Sequence, residues 1–473
     1  MIQVGNSRSG TVAGIHPALA NRHGLIAGAA GTGRTVTLQV LAEQFSEAGV
    51  PVFATDVKGD LSGIAHPGEI TDAIMKRAVE LGITGHAPSG YPVRMWDLFG
   101  EKGQPLRASV HDMGPMVMAR LLDLSPAQSG VLDVVYMFAD RLNVQMQSLL
   151  SLNDLVRIAH DNTEEVSSKV GYVSKSALAF IQRGVAGLEH RGEGAFFGVP
   201  PLDVNDLMQT HEGRGVVNIL AADALMESPN VYAGFVAGFM QTLVRTLPEV
   251  GDPEKPTIVF FFDEAHLLFR DAPKPLLRAM ERAVGLIRSK GAGIYFATRS
   301  PTDIPDEVLG QLGNRVQHAL PAYTPKELRA VNAVAENYRE NPAFDTQDVI
   351  GNLGKGEALV STLEGDDAIP GVVQIVKVRP PRSFIGAPDD MSEGCVLPPT
   401  EEPEPLVIEE PKPKGFGTWI KARPALIWFV GFMSAGIITG MFTGLSYWVI
   451  VVSGLTAGFT LPFVQRMGLH KRE

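Results

Sequence analysis

Two short stretches hold residue types suited to chemistry on phosphate. The first, Gly28-Ala29-Ala30-Gly31-Thr32-Gly33-Arg34-Thr35, has the spacing G-x-x-x-x-G-K-[ST] with Arg in the lysine position. Its glycines let backbone N–H groups converge on an anion, and a helix opening at its end adds a positive dipole. Thr32 and Arg34 complete the phosphate-facing set, and the Thr35 hydroxyl is placed for Mg2+. The second is Ile258-Val259-Phe260-Phe261-Phe262-Asp263-Glu264. Five apolar residues ending in two carboxylates describe a central strand that delivers acids to the edge where open α/β sheets bind ligands. There Asp263 would hold Mg2+ through its water shell, and Glu264 would polarise an attacking water.

Other candidates are less specific. Asp56 ends a predicted strand and precedes Val-Lys58-Gly-Asp60. It either positions water or metal, or forms a turn. His23 and His318 sit in apolar segments and read as core or edge histidines rather than ligands. Asp263-Glu264-Ala265-His266 spells a helicase box by letters, but no other motif of that class accompanies it.

The elements that must position these residues follow a strand–helix rhythm. HGLIAG reads as a buried strand, Thr35–Ala48 as an amphipathic helix and PVFATD as a second strand, the opening of a parallel α/β sheet. From about residue 69 to 213, Leu, Met, Ala and Gln recur at helical spacing, which predicts a mostly helical insertion; Ser125-Pro126-Ala127-Gln128 is a helix start. The strands GVVNIL, TIVFFFD and AGIYFAT then alternate with helices over Val231–Leu247 and Pro275–Ser289. A capping box at Thr324–Glu327 and the strands EALVS and GVVQIVKV close an α/β domain spanning residues 1–384.

The 473 residues carry a net charge of −11, which argues against a generally basic nucleic-acid coat without excluding a local basic patch. Cys395 is the only cysteine, so intrachain disulfides, Cys-based zinc sites and iron–sulfur clusters are excluded. The N-terminal stretch lacks an apolar region of signal-peptide length, so the bulk of the chain is expected to stay unexported. Residues 385–423 are rich in Pro and Glu and read as an extended linker. No charged residue then occurs between Arg423 and Arg466. Crossing a bilayer takes about 20 apolar residues per helix, so residues 424–465 are expected to form a two-helix transmembrane hairpin turning near Gly440–Gly444. Basic residues flank both ends, including the tail 466–473, which places both ends in the cytoplasm.

NRHGLIAG, DVKGDLSGIA, QSGVLDVV, FFFDEAHLLF, LIRSKGAGIYF and DIPDEVLGQLGNRVQHAL together resemble the bacterial HerA-like ATPase family, P-loop ATPases of the HerA/FtsK type. The resemblance covers roughly residues 10–380. It implies a RecA-like core, ATP and Mg2+ as cofactors, and a homo-oligomeric ring, usually a hexamer, acting as a motor on DNA or another polymer. It also implies an arginine finger reaching a neighbour's nucleotide, a role that falls on Arg315; a surface or sheet-edge arginine is the alternative. Two positions depart from the family pattern. Arg34 replaces the phosphate-loop lysine, and Arg299 stands where the family carries a glutamine sensor. Both changes leave nucleotide binding expected and point to slow hydrolysis, which keeps a nucleotide-binding switch or scaffold as the alternative function.

Overall fold

The computed structural model describes residues 1–399, apart from 99, 199–201, 224–228, 389 and 392–393. The expected hairpin and most of the linker lie outside the described residues. Among the described residues no helix is long and apolar enough to cross a membrane.

A twelve-stranded mixed sheet organises the chain. Its strands in chain order are β1 (Ile2–Ser7), β2 (Val12–Ile15), β3 (Gly24–Ala27), β4 (Val52–Asp56), β5 (Val93–Asp97) and β6 (Gln104–Pro105). They continue with β7 (Val217–Ala221), β8 (Ile258–Phe262), β9 (Ala292–Thr298), β10 (Asn314–Gln317), β11 (Glu357–Ser361) and β12 (Gln374–Val378). Their spatial order is β2-β1-β12-β11-β10-β3-β9-β8-β4-β7-β5-β6. From β10 to β6 every pairing is parallel, while the β2-β1-β12-β11 edge is antiparallel. The run of parallel strands brings the ends of β3, β9, β8 and β4 to one edge, where their loops can meet a common ligand.

The central strands are apolar throughout because both faces are covered. Phe260 and Phe262 join a core on one side with Leu25, Phe53 and Phe296, and Val259 and Phe261 join another with Ile26, Ala54 and Tyr295. The second core is closed by helix α1 (Arg34–Glu47), which contributes Leu38, Leu41 and Phe45. The first is closed by helices at Val110–Leu121, Pro126–Leu142, Pro229–Thr246 and Lys274–Ile287.

The stretch read as a mostly helical insertion is helical chiefly over residues 110–190, and it also contains β5 and β6 of the main sheet. The Ser125 capping box forms, with the Gln128 amide on the Ser125 hydroxyl and the Gln128 side chain on the Ser125 amide. The beginning of the region read as a linker is held against the domain. The Val93 and Leu397 amides donate to the Cys395 and Val93 carbonyls respectively, and the Cys395 amide donates to Ala65. Just before it, residues 382–384 lie over α1, where Glu43 accepts the amides of Arg382 and Ser383 and the Ser383 hydroxyl. Burial pushes the Glu43 carboxyl up to about 7 despite these hydrogen bonds.

Candidate functional site: a phosphate loop facing an acidic strand end

β3 runs directly into the loop 28–35 and α1 begins at Arg34, so the strand–loop–helix placement is the one phosphate binding requires. Gly28, Gly31 and Gly33 have φ of 153°, 77° and 120°, backbone conformations that L side chains rarely adopt. The loop is anchored at both sides. The Gly28 amide donates to Thr298 at the end of β9, the Ala29 amide to Ala319 after β10, and the Gly356 amide to the Thr32 carbonyl. The Thr32 hydroxyl turns back onto the Ala29 carbonyl at 2.7 Å. Thr35 lies in the first turn of α1, partly exposed.

His318 supports the loop from beneath. Its Nδ1 lies 2.9 Å from the Glu357 carbonyl and its Nε2 lies 2.8 Å from the Thr37 hydroxyl. A carbonyl only accepts, so Nδ1 carries the proton and Nε2 accepts from Thr37. Burial, with a contribution from the Arg34 charge, lowers its pKa to about 4, which keeps the ring neutral. His23 is also buried, and its Nδ1 accepts the Ile294 amide at 3.1 Å, far from the loop along β9.

Across one intervening strand, β8 delivers Asp263 and Glu264. The Asp263 amide donates to Thr55 Oγ1 at 3.1 Å and its carbonyl accepts the Tyr232 hydroxyl at 2.9 Å. Burial pushes the Asp263 carboxyl up, against the neighbouring Lys58 charge. Glu264 takes a left-handed backbone, φ 46°, and its side chain is the electrostatic centre of the site. Its Oε1 lies 3.2 Å from Arg34 Nη2 and 2.8 Å from Lys58 Nζ, and its Oε2 lies 3.2 Å from His266 Nδ1 and 3.4 Å from Arg299 Nε. Burial would raise this carboxyl, but His266, Lys58 and Arg34 outweigh it and hold Glu264 well below the usual carboxylate range.

The fold thus brings Gly28, Gly31, Thr32, Gly33, Arg34, Thr35, Asp263, Glu264 and Arg299 to one sheet edge. Asp56 reaches the same edge at the end of β4, but both of its oxygens are engaged by its own loop. Oδ1 accepts the amides of Lys58, Gly59 and Asp60, and Oδ2 accepts that of Leu61 at 2.8 Å. Arg315 lies elsewhere. It pairs with Leu25, three residues before the loop, and its guanidinium donates to the carbonyls of Leu309, Leu312 and Asn337 of its own chain. His318, expected in the core, is buried there, whereas Lys58 and His266 are site residues that residue types alone did not single out. The only signal was their nearness to recognised motifs: Lys58 after Asp56, and His266 after Asp263-Glu264.

These residues fit a polyphosphate with Mg2+. Arg34 is buried, and among the described residues its Nη1 has no hydrogen-bond partner. A Cβ added at Gly33 would enter the space beside Gly356 and His318, 3.4 Å from each. Among the described residues no group of three or more His, Cys, Asp or Glu side chains is placed to hold a metal alone. Mg2+ would therefore rely on Thr35, Asp263, phosphate oxygens and water.

A mixed sheet with parallel central strands, a glycine loop on one of them and paired carboxylates two strands away defines an α/β P-loop protein. A family model described as "Helicase HerA-like C-terminal" matches residues 2–396, and the chain belongs to that family. Its fold is similar to VirB4 of Thermoanaerobacter pseudethanolicus, with TM-score 0.52 at 12% identity over 80% of this chain and 96% of that one. It is also similar to the bacterial conjugative coupling protein TrwBdeltaN70, with TM-score 0.55 at 13% identity over 83% and 91% of the two chains. The plasmid coupling protein TrwB in complex with ADP and Mg2+ gives TM-score 0.55 at 15% identity over 81% and 90%. No curated protein sequence matches the chain.

Proposed function

We propose that this chain binds ATP with Mg2+ at the loop Gly28–Thr35 and works as a HerA-like ATPase motor on DNA or another polymer. The observation that carries the reading is the convergence of the phosphate loop with Asp263 and Glu264 at one sheet edge. The structurally similar TrwB was solved with ADP and Mg2+, with a non-hydrolysable ATP analogue and with a GTP analogue, which supports a nucleotide with Mg2+ here. Bound Mg2+ would supply charge neutralisation at the phosphates. The loop amides and Arg34 would orient the phosphate chain, Asp263 and Thr35 would hold the metal, and Glu264 would accept a proton from the attacking water once its cations are drawn away. We place these subunits in a homo-oligomeric ring, a hexamer by family expectation. Each subunit is tethered by the hairpin 424–465 to a cytoplasmic membrane, with the ATPase domain in the cytoplasm. Arg315 is the candidate finger toward the neighbouring subunit, a role for which its guanidinium must first leave its own carbonyls.

A specific observation also favours a slowly hydrolysing switch. Arg34 and Arg299, the two departures from the family pattern, both lie against Glu264, at 3.2 and 3.4 Å, and keep it engaged. Steady-state ATP hydrolysis by the full-length chain, with and without DNA, separates the two readings. Turnover that DNA accelerates supports a motor; tight nucleotide binding with negligible turnover under both conditions supports the switch.

A further inference from the structure

Arg34 leaves the phosphate loop without the compact ammonium that a lysine would place against the terminal phosphate. A guanidinium is longer and planar, and it binds two acceptors in a fork rather than one as a point charge. The structure brings an ammonium to the same place from another strand. Lys58 Nζ and Arg34 Nη2 meet the same atom, Glu264 Oε1, at 2.8 and 3.2 Å. They approach from opposite sides. Arg34 comes from β3, two strands from β8 in one direction, and Lys58 follows β4, the immediate neighbour of β8 in the other.

The loop bearing Lys58 is built for this. Asp56 gathers the four consecutive amides of residues 58–61, and Gly59 takes φ 77°, so the backbone beneath Lys58 is fixed. The side chain above it is 41% exposed, unlike the buried Arg34, and can turn without disturbing the core. Asp56 therefore acts as a positioning residue for Lys58. Glu264 is the anion these cations share. A triphosphate competes for both, because its non-bridging oxygens accept charge-assisted hydrogen bonds from either cation.

We propose that Lys58 is a second phosphate-binding cation, which leaves Glu264 for the γ-phosphate of bound ATP and supplies the ammonium that the phosphate loop lacks. The proposal rests on nucleotide binding at Gly28–Thr35. Its transfer from Glu264 to phosphate also removes one of the two cations on Glu264 Oε1 when, and only when, a γ-phosphate is present, so a diphosphate leaves Lys58 where it is.

The test compares Mg2+ complexes of a non-hydrolysable ATP analogue and of ADP by calorimetric titration of the full-length chain. Lys58→Met is expected to weaken the ATP analogue by about tenfold or more, the usual worth of one charge-assisted phosphate contact, and ADP by less than about twofold. Lys58→Arg should recover most of the loss. The same comparison in a Glu264→Gln background decides between phosphate and Glu264 as the partner. A loss for the ATP analogue that persists there supports the contact with phosphate. A loss that disappears there, or equal weakening of both nucleotides, overturns the proposal. If the parent chain binds neither nucleotide, the nucleotide reading itself falls and takes this proposal with it.

Discussion

Replacing Glu264 with glutamine keeps the shape of the side chain and removes the one anion that four basic side chains share. Lys58 and Arg299 are 41% and 60% exposed, so both turn to water and their loss contributes little. Arg34 cannot, because its side chain is 5% exposed. Removing one partner of a buried ion pair costs roughly 3–5 kcal/mol, and retention of a neutral hydrogen-bond acceptor places this case near 3 kcal/mol. For a domain of this size that is a fall in Tm on the order of 5 °C. Nucleotide should offset part of the penalty, since phosphate oxygens give the stranded guanidinium a new anion. With a saturating ATP analogue and Mg2+ the Tm gap between Glu264→Gln and the parent should narrow by roughly half. The variant should also bind the analogue about tenfold more tightly, for a recovery of about 1.4 kcal/mol. Differential scanning calorimetry with and without nucleotide reads both effects. An unchanged Tm in the nucleotide-free variant, or a gap equally wide in both conditions, refutes the account of Glu264 as the resting counter-ion of Arg34.

Further expectations follow from the same geometry. Gly33→Val forces a β-branched residue to φ 120° beside Gly356 and His318 and should abolish ATP binding; an unchanged affinity in calorimetry would remove the nucleotide site. Arg34→Lys should raise kcat, and adding Arg299→Gln should raise it further, by about tenfold in all; a double variant no faster than the parent would show that these arginines do not limit the reaction. His318, lowered from 6.5 to about 4, stabilises the fold fully above pH 6.5 and loses that contribution as pH falls toward 4, about 3 kcal/mol at most. Its ring resonances should titrate below pH 5 by NMR, and a midpoint above 6 contradicts the buried neutral tautomer. Full-length protein should remain in the membrane pellet after alkaline carbonate washing while a chain ending at Pro399 stays soluble; release of the full-length protein argues against the hairpin.

The buried parallel strands were legible because they are continuous apolar runs bounded by turn residues: GLIA, VFATD and IVFFF stand where periodicity places them. The antiparallel edge was not. IQVGNS and VAGI are short, polar or glycine-bearing, and they become strands by pairing with each other and, through β1, with β12 nearly the whole domain away. VRMWD was lost in a helical stretch because Arg94 interrupts its apolar face. In the fold Arg94 is buried, with its guanidinium donating to the Asp206 carbonyl and to Gln209. The phosphate loop and the acidic pair were visible as local motifs. Lys58 was not, because its meaning depends on β4 lying beside β8, a fact of topology rather than of spacing.

The seam between residues 395–397 and Val93 bears on how this domain carries load. The exiting segment runs parallel to β5, so the chain departs toward the same end of the sheet that presents the phosphate loop. A pull applied along β5 loads the contacts of residues 395–397 with Val93. Hydrogen bonds in that arrangement are sheared together rather than opened one at a time. The segment just upstream, residues 382–384, grips α1 through Glu43. Tension at the tail therefore has a short mechanical route to the helix whose first turn forms the nucleotide loop.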